Sequence, residues 1–425
     1  MSETLFEHAL AVGRPPNITR LFPNSRALLV SGKVVDRALG AKGRAMTMAA
    51  NGRNALVIRG ALAAAQRADS CLILEIAKSE GGRNAYCAVN YWNLARMVDA
   101  FMNEMNITVP VAIHADHYGV KNDADLEAAR VEIPSMFDAG ITSIAIDASH
   151  QPDADNLLAC IDLHRYVPSW AGLETEVGEI KGTQGLSTVE EALFLIRGLN
   201  AHAVFPDWIA LNNGTTHGIE AGSLGIQVEL TREIHQALAS YGVSGAQHGT
   251  SGNSSERLRR ITTETRTTKA NVATALQMLS WGVAVNDYGN AELDDTGNFV
   301  KVAGEGMTEE LWGDMTAWAA KQGLSSGNYK KLNLPFDNHI LAQPRQVRER
   351  MAKRVEEFVF HMLTEVMNAK DTAPLALEIL ADSASYDVGV KAVRTEAPAQ
   401  WTEARMREKA AALGSNQGPD GDFDD

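Results

Sequence analysis

Residues 112–120 read AIHADHYGV, so His114, Asp116 and His117 close an apolar run. Such a group at a strand end is either a polar turn or a site for metal-assisted acid/base chemistry. Further along, NNGTTHG carries His217 and QHGTSG carries His248, each after a short apolar run. Three imidazoles from three separate strand ends suit a catalytic divalent metal, because neutral nitrogen ligands satisfy zinc and leave a fourth position for a substrate oxygen. Taken singly, each histidine is more often a hydrogen-bonded residue than a ligand. Their joint placement favours the metal. Strand alternation sets residues 114 and 116 on one side while His117 begins the loop, which makes His117 the preferred ligand of its group. In HGIEAG and HGTSG a glycine follows the histidine directly. Backbone N–H groups at Gly218 and Gly249 could therefore cradle a phosphate beside the metal, although a His-Gly pair alone usually marks a turn. Ser251 and Asn286 add side-chain donors at neighbouring strand ends.

Positioning these residues falls to eight apolar runs, at 44–51, 71–77, 109–116, 143–149, 170–178, 208–214, 244–250 and 282–287. Amphipathic stretches lie between them, for example 54–68, 90–105, 188–199 and 230–242, with apolar residues recurring at three and four. Strands alternating with helices in this way predict a closed (β/α)8 TIM barrel rather than an open doubly wound sheet. On a barrel, the carboxyl ends of the strands converge on one face. That face would gather His114, Asp116, His117, Asp147, Glu174, Glu176, His217, His248, Asn286 and Asp287. Residues 1–43 read as an N-terminal cap segment and 44–369 as the barrel with a C-terminal helical extension, including the long amphipathic stretch 347–369. Residues 370–425 read as a C-terminal extension ending in a disordered acidic tail, GSNQGPDGDFDD.

Composition narrows the function classes. A formal charge of −14 over 425 residues disfavours nucleic acid or an anionic membrane as partner. No apolar run approaches the roughly 18 residues that cross a bilayer, and the N-terminus lacks a basic-then-apolar leader, so the expected location is cytoplasmic. The three cysteines, Cys71, Cys87 and Cys160, show no CxxC spacing. A disulfide framework and a thiolate zinc site are thereby disfavoured, and any metal must be held by histidine and carboxylate.

Over roughly residues 45–290, and again near 340–365, the chain resembles the class II, zinc-dependent fructose-bisphosphate aldolase family. The resemblance is carried by HADH (114–117), IDASH (146–150), LETEVG (173–178), the HG at 217–218 and HGTSG (248–252), with AAN ending at Asn51 and SEGG from Ser79. It implies a lyase that reversibly cleaves a phosphorylated ketose, with fructose 1,6-bisphosphate, a glycolytic substrate, as first candidate. By the same resemblance Zn2+, or another divalent metal, is bound by His117, His217 and His248, with Asp147 and Glu176 holding a second metal position. Asp116 is the catalytic acid/base. Asn51 and Ser79 contact substrate, Gly218, Gly249, Ser251 and Asn286 bind its phosphate beside a monovalent cation, and Arg345 reaches a second phosphate across the interface of a homodimer or homotetramer. Two positions depart from the family pattern. Gln184 stands where a loop glutamate is expected, with Glu179 as a substitute, and Tyr288 occupies the acidic position of an Asn-x-Asp expected after strand eight. Extra residues are expected around 253–280 and 295–335. The alternatives are a relative cleaving another ketose 1-phosphate, a zinc-retaining non-catalytic paralogue, and a hydrolase barrel. The last usually opens its metal site with His-x-His on the first strand, whereas HADH lies on the third.

Overall fold

Seven of the eight apolar runs become barrel strands, and the eighth strand comes from a stretch the hydropathy pattern passed over. The computed structural model of the chain describes residues 3–83, 85–178, 185–214, 225–286 and 289–413. After a two-residue strand β1 (Leu29–Val30) come β2 (Thr47–Asn51), β3 (Leu72–Ala77), β4 (Val111–Gly119), β5 (Ser143–Asp147), β6 (Gly172–Val177), β7 (Trp208–Leu211), β8 (Ser244–Gln247) and β9 (Thr267–Val272). Strands β2 to β9 pair in parallel around a closed ring, with β9 joining β8 to β2 and β4 pairing β5. This is a (β/α)8 barrel.

The expected strand at 282–287 is therefore corrected. Val283 and Val285 lie outside the barrel, in antiparallel bridges to Lys301 and Ala291. The stretch 253–280 is no insertion: it supplies the helix Ser255–Glu264, then β9, then the helix Thr274–Trp281. Lys269 and Asn271 disguise β9 in the sequence, since a buried strand of a parallel sheet normally reads as an aliphatic run.

The helices follow their periodicity and caps. Asn54 accepts from the N–H groups of Leu56 and Val57 at the start of Ala55–Ala68. Thr188 and Glu191 form a capping box at the start of Val189–Ala201, satisfying two otherwise orphaned donors. The long helix Arg345–His361 packs on Ala55–Ala68, and glycine at 60 permits the approach, because a Cβ there would stand 2.5 Å from the Ala352 carbonyl oxygen.

A helix at Gly32–Lys42 crosses the floor of the barrel, where the strands begin, while β1 pairs with the start of β4. Contact there is tight. A Cβ on Gly32 would lie 2.6 Å from Ser143 Oγ, and one on Gly172 would lie 2.9 Å from the Gly32 Cα. Gly172→Ala should therefore overpack the floor and cost about 1–3 kcal/mol, seen as a fall of a few degrees in the thermal midpoint. From the C-terminal side, Lys391 binds Asp36 of the floor helix and donates to Ser244 Oγ at 2.8 Å.

Between the barrel and the last long helix, residues 282–286 and 289–344 form an excursion with helices at Glu309–Lys321 and Asn333–Leu341. Its Met315, Tyr329 and Phe336 join Trp281 and Met351 of the flanking helices in a second buried cluster. Among the described residues no helix is long and apolar enough to cross a membrane.

One irregularity matters for the site. Between Ala115 and Tyr118, β4 carries one residue more than its partner β5, and His117 takes a left-handed φ of 39°. The strand thus runs through His117 to Gly119 rather than ending in a loop at 117. Regular alternation would send Asp116 and His117 to opposite faces. The bulge turns both toward the barrel mouth, at the cost of about 1 kcal/mol or more that a non-glycine residue pays in this conformation.

Candidate metal and acid/base site

At the carboxyl ends of the strands two imidazoles converge. His117 Nε2 lies 2.5 Å from His248 Nδ1, with the rings at 88° to one another. The other nitrogen of His117 faces carboxylates, with Nδ1 3.1 Å from Glu176 Oε1 and 3.5 Å from Asp147 Oδ2. Asp116 Oδ2 stands 3.9 Å from His117 Nε2. All five side chains are buried. Ligand atoms of Asp116, His117 and His248 lie mutually within 4.8 Å, as do those of His117, Asp147 and Glu176. Glu176 Oε1 is buried with His117 Nδ1 as its neighbour, so a carboxylate oxygen stands beside the paired imidazoles. Nitrogen and oxygen donors of this kind suit a borderline divalent cation, zinc included. The three cysteines are buried and free, and none belongs to these ligand groups.

Beneath this pair runs a polar layer where TIM barrels usually hold branched aliphatics. Lys269 Nζ, fully buried, donates to Glu174 Oε2 at 2.7 Å and to Asp116 Oδ1 at 3.4 Å, and lies 3.3 Å from Glu75 Oε2. Glu174 Oε1 is 2.7 Å from His248 Nε2, which leaves His248 Nδ1 as the free lone pair when Nε2 carries the proton. Asn271 Nδ2 donates to Asp116 Oδ1 at 2.8 Å. His114 Nδ1 pairs with Ser143 Oγ at 2.8 Å. Burial by itself would lift the Asp116 carboxyl, but His117, Lys269 and His248 outweigh it and hold Asp116 well below the usual carboxylate range. Glu174 is held down in the same way, chiefly by Lys269 against burial. Burial and the charge of Asp116 push Glu75 well above its ordinary value despite Lys269. Burial, with Asp147 beside it, also raises Glu176.

Asp116, His117, Asp147, Glu176 and His248 are thus brought together. His217, Gly218, Glu179, Gln184, Asp287, Tyr288 and the tail from 414 lie outside the described residues. Asn51 ends β2, and its amide donates to Glu80, which a fully buried Arg53 holds at 2.6 Å; Gln277 Oε1 in turn accepts from Arg53 and from Asn333 of the excursion. Ser79 sits in the short helix Lys78–Gly81 that follows β3. Gly249 has φ 58°, and Ser251 lines a small groove with Thr250, Asn253, Gly289 and Phe358. Asn286 is not at a strand end: it occupies a turn closed by Gly289 and Asn290, and Gly289 stands beside Ser251. The barrel's eighth strand, β9, instead ends in Asn271 and Val272, and alanine, Ala273, comes directly after it. Arg345 is 85% exposed and paired with Glu349 of its own helix. Sequence reasoning missed Lys269 and Asn271. Their signal was a Thr-Lys-x-Asn run at the right spacing after β8, hidden by its polarity.

Comparison with known proteins points to one enzyme family. A family model described as fructose-bisphosphate aldolase class-II matches residues 33–323. A 6-phospho-5-dehydro-2-deoxy-D-gluconate aldolase of Halalkalibacterium halodurans is 30% identical over 178 residues, covering 40% of this chain and 56% of the relative. A fructose-bisphosphate aldolase of Staphylococcus aureus (strain Mu50) is 28% identical over 265 residues, covering 59% of this chain and 84% of the relative. The crystal structure of fructose-bisphosphate aldolase from Campylobacter jejuni superposes with a TM-score of 0.54 at 18% identity, over 81% of this chain and 97% of that one, a likeness of fold.

Proposed function

Since the chain belongs to the class II fructose-bisphosphate aldolase family, we propose that it is a metal-dependent lyase cleaving a phosphorylated ketose at the mouth of its barrel. The observation that carries this reading is the meeting of His117 Nε2, His248 Nδ1 and the Asp116 carboxylate at one buried point. His117 and His248, with His217 from outside the described residues, would hold the metal, and Glu176 and Asp147 offer a second position. A divalent ion bound there supplies Lewis-acid polarisation of the substrate carbonyl.

Asp116 does the proton chemistry. With Oδ1 engaged by Asn271 and Lys269, Oδ2 is the oxygen that takes the proton from the hydroxyl on the carbon next to the scissile bond. That carbon becomes the aldehyde, the carbon–carbon bond breaks with its electron pair moving toward the former carbonyl as an enediolate, and a second acid, for which Glu179 is proposed, protonates that enediolate on carbon to release the ketone product. In the reverse direction Asp116 returns the proton. The depressed pKa keeps the base ionised, while burial excludes competing water. Gly249 and Ser251, beside the groove, are proposed for the phosphate, together with Gly218 and a monovalent cation.

Fructose 1,6-bisphosphate is the first substrate proposed, giving dihydroxyacetone phosphate and glyceraldehyde 3-phosphate. Another ketose 1-phosphate is the second reading, favoured by Ala273 after strand eight, which cannot accept a hydrogen bond from a distal sugar hydroxyl. A homodimer or homotetramer in the cytoplasm is proposed, with the exposed Arg345 turned to a neighbour's substrate. The test is a panel of ketose phosphates with coupled detection of triose phosphate. Stoichiometric release abolished by a chelator and restored by Zn2+ is expected. A protein that keeps its metal yet turns over none of the panel would instead be a non-catalytic relative.

A further inference from the structure

We propose that Lys269 is a positioning residue for both halves of the site, orienting the Asp116 carboxylate directly and the His248 ring through Glu174. The inference rests on the aldolase reading above. Three acidic side chains face one ammonium at 2.7, 3.3 and 3.4 Å, namely Glu174, Glu75 and Asp116, and its hydrogen bonds go to Glu174 and Asp116. Two of those contacts lead to the chemistry. Lys269 and Asn271 together occupy Asp116 Oδ1, which settles the rotation of the carboxylate and leaves Oδ2 for the substrate. Lys269 also holds Glu174 Oε2, so that Oε1 lies 2.7 Å from His248 Nε2. This is the carboxylate–histidine arrangement that fixes a ligand's tautomer and ring orientation.

Stability does not account for the arrangement. A buried ion cluster generally contributes no more than well-packed apolar residues of similar volume, and aliphatic side chains are the usual filling of such a barrel. The β9 strand even carries an extra residue against β8, at the step from Gly245/Thr267 to Ala246/Lys269, which places Lys269 in register with Ala246 and Thr47.

The experiment uses the full chain, with Co2+ binding measured by calorimetry in the absence of substrate and steady-state kinetics measured on the metal-loaded enzyme. Lys269→Met is expected to weaken Co2+ binding about tenfold or more. It should also lower kcat by about 100-fold with KM nearly unchanged, the pattern of an interaction made in the transition state. Wild-type Co2+ affinity together with wild-type kcat in the folded variant would overturn the proposal. Should the Met variant fail to fold, Lys269→Arg decides. Its charge still offsets the carboxylates, but a planar fork cannot donate to Glu174 and Asp116 from the single point the ammonium occupies, so both quantities should fall, and unchanged values overturn the proposal. If the wild-type protein cleaves no ketose phosphate, the aldolase reading fails on its own, while the Co2+ arm still judges Lys269.

Discussion

Asp116→Asn is expected to leave a divalent metal bound and to reduce turnover by at least about 100-fold, the ordinary contribution of a positioned acid/base group. The substitution is nearly isosteric. The asparagine carbonyl can still accept from Asn271, which now sits 2.8 Å from Asp116 Oδ1, so the shape of the mouth should persist. What disappears is basicity, because an amide oxygen cannot take the hydroxyl proton at neutral pH. The measurement pairs metal content of the purified variant with single-turnover cleavage of the best ketose phosphate. Full metal occupancy with turnover near wild type would remove Asp116 from the chemistry and leave it a structural carboxylate.

The second large effect is expected at His248. Replacing it with alanine removes the imidazole that meets His117 at 2.5 Å and strands Glu174 Oε1. Metal content should fall to background, and activity should drop by roughly 10³-fold or more, the equivalent of about 4 kcal/mol of lost transition-state stabilisation. The two variants separate two roles that a simple loss of activity would confuse. Asp116→Asn should be metal-replete and slow; His248→Ala should be metal-free and slow. A His248→Ala protein that still binds zinc with wild-type affinity would place the metal elsewhere in the cluster, at His117, Asp147 and Glu176.

Much of this molecule was legible in its sequence because local rules and global fold coincide over most of the chain. Apolar runs of strand length alternate with amphipathic stretches of period 3.6, and the physics of burying both faces of a parallel sheet turns that rhythm into a closed barrel. His114, Asp116, His117, Asp147, Glu176 and His248 could be picked out because polar residues at the end of an apolar run must lie at a strand terminus, and all such termini face one way. Where the sequence misled, a residue's environment had overridden its type. GVAVND at 282–287 has the hydropathy of a buried strand, but its Val283 and Val285 form antiparallel bridges outside the barrel, whereas TTKANV at 267–272 looks exposed and closes the ring. Its charge is tolerated because the Glu174 and Asp116 carboxylates, from distant strands, compensate it.

The sequence by itself determined the class of architecture and most of the ionisable side chains available to the mouth, Lys269 excepted, since both depend on spacing along the chain. Only the tertiary structure decided which of them act on one another. Strand alternation forbids Asp116 and His117 from sharing a face, and a one-residue bulge against β5 overrules it. The partnership of Lys269 with Glu174 and Asp116 spans 95 and 153 residues of chain. No local pattern encodes such a contact, because the energy that holds it comes from burying opposite charges together once the barrel has closed.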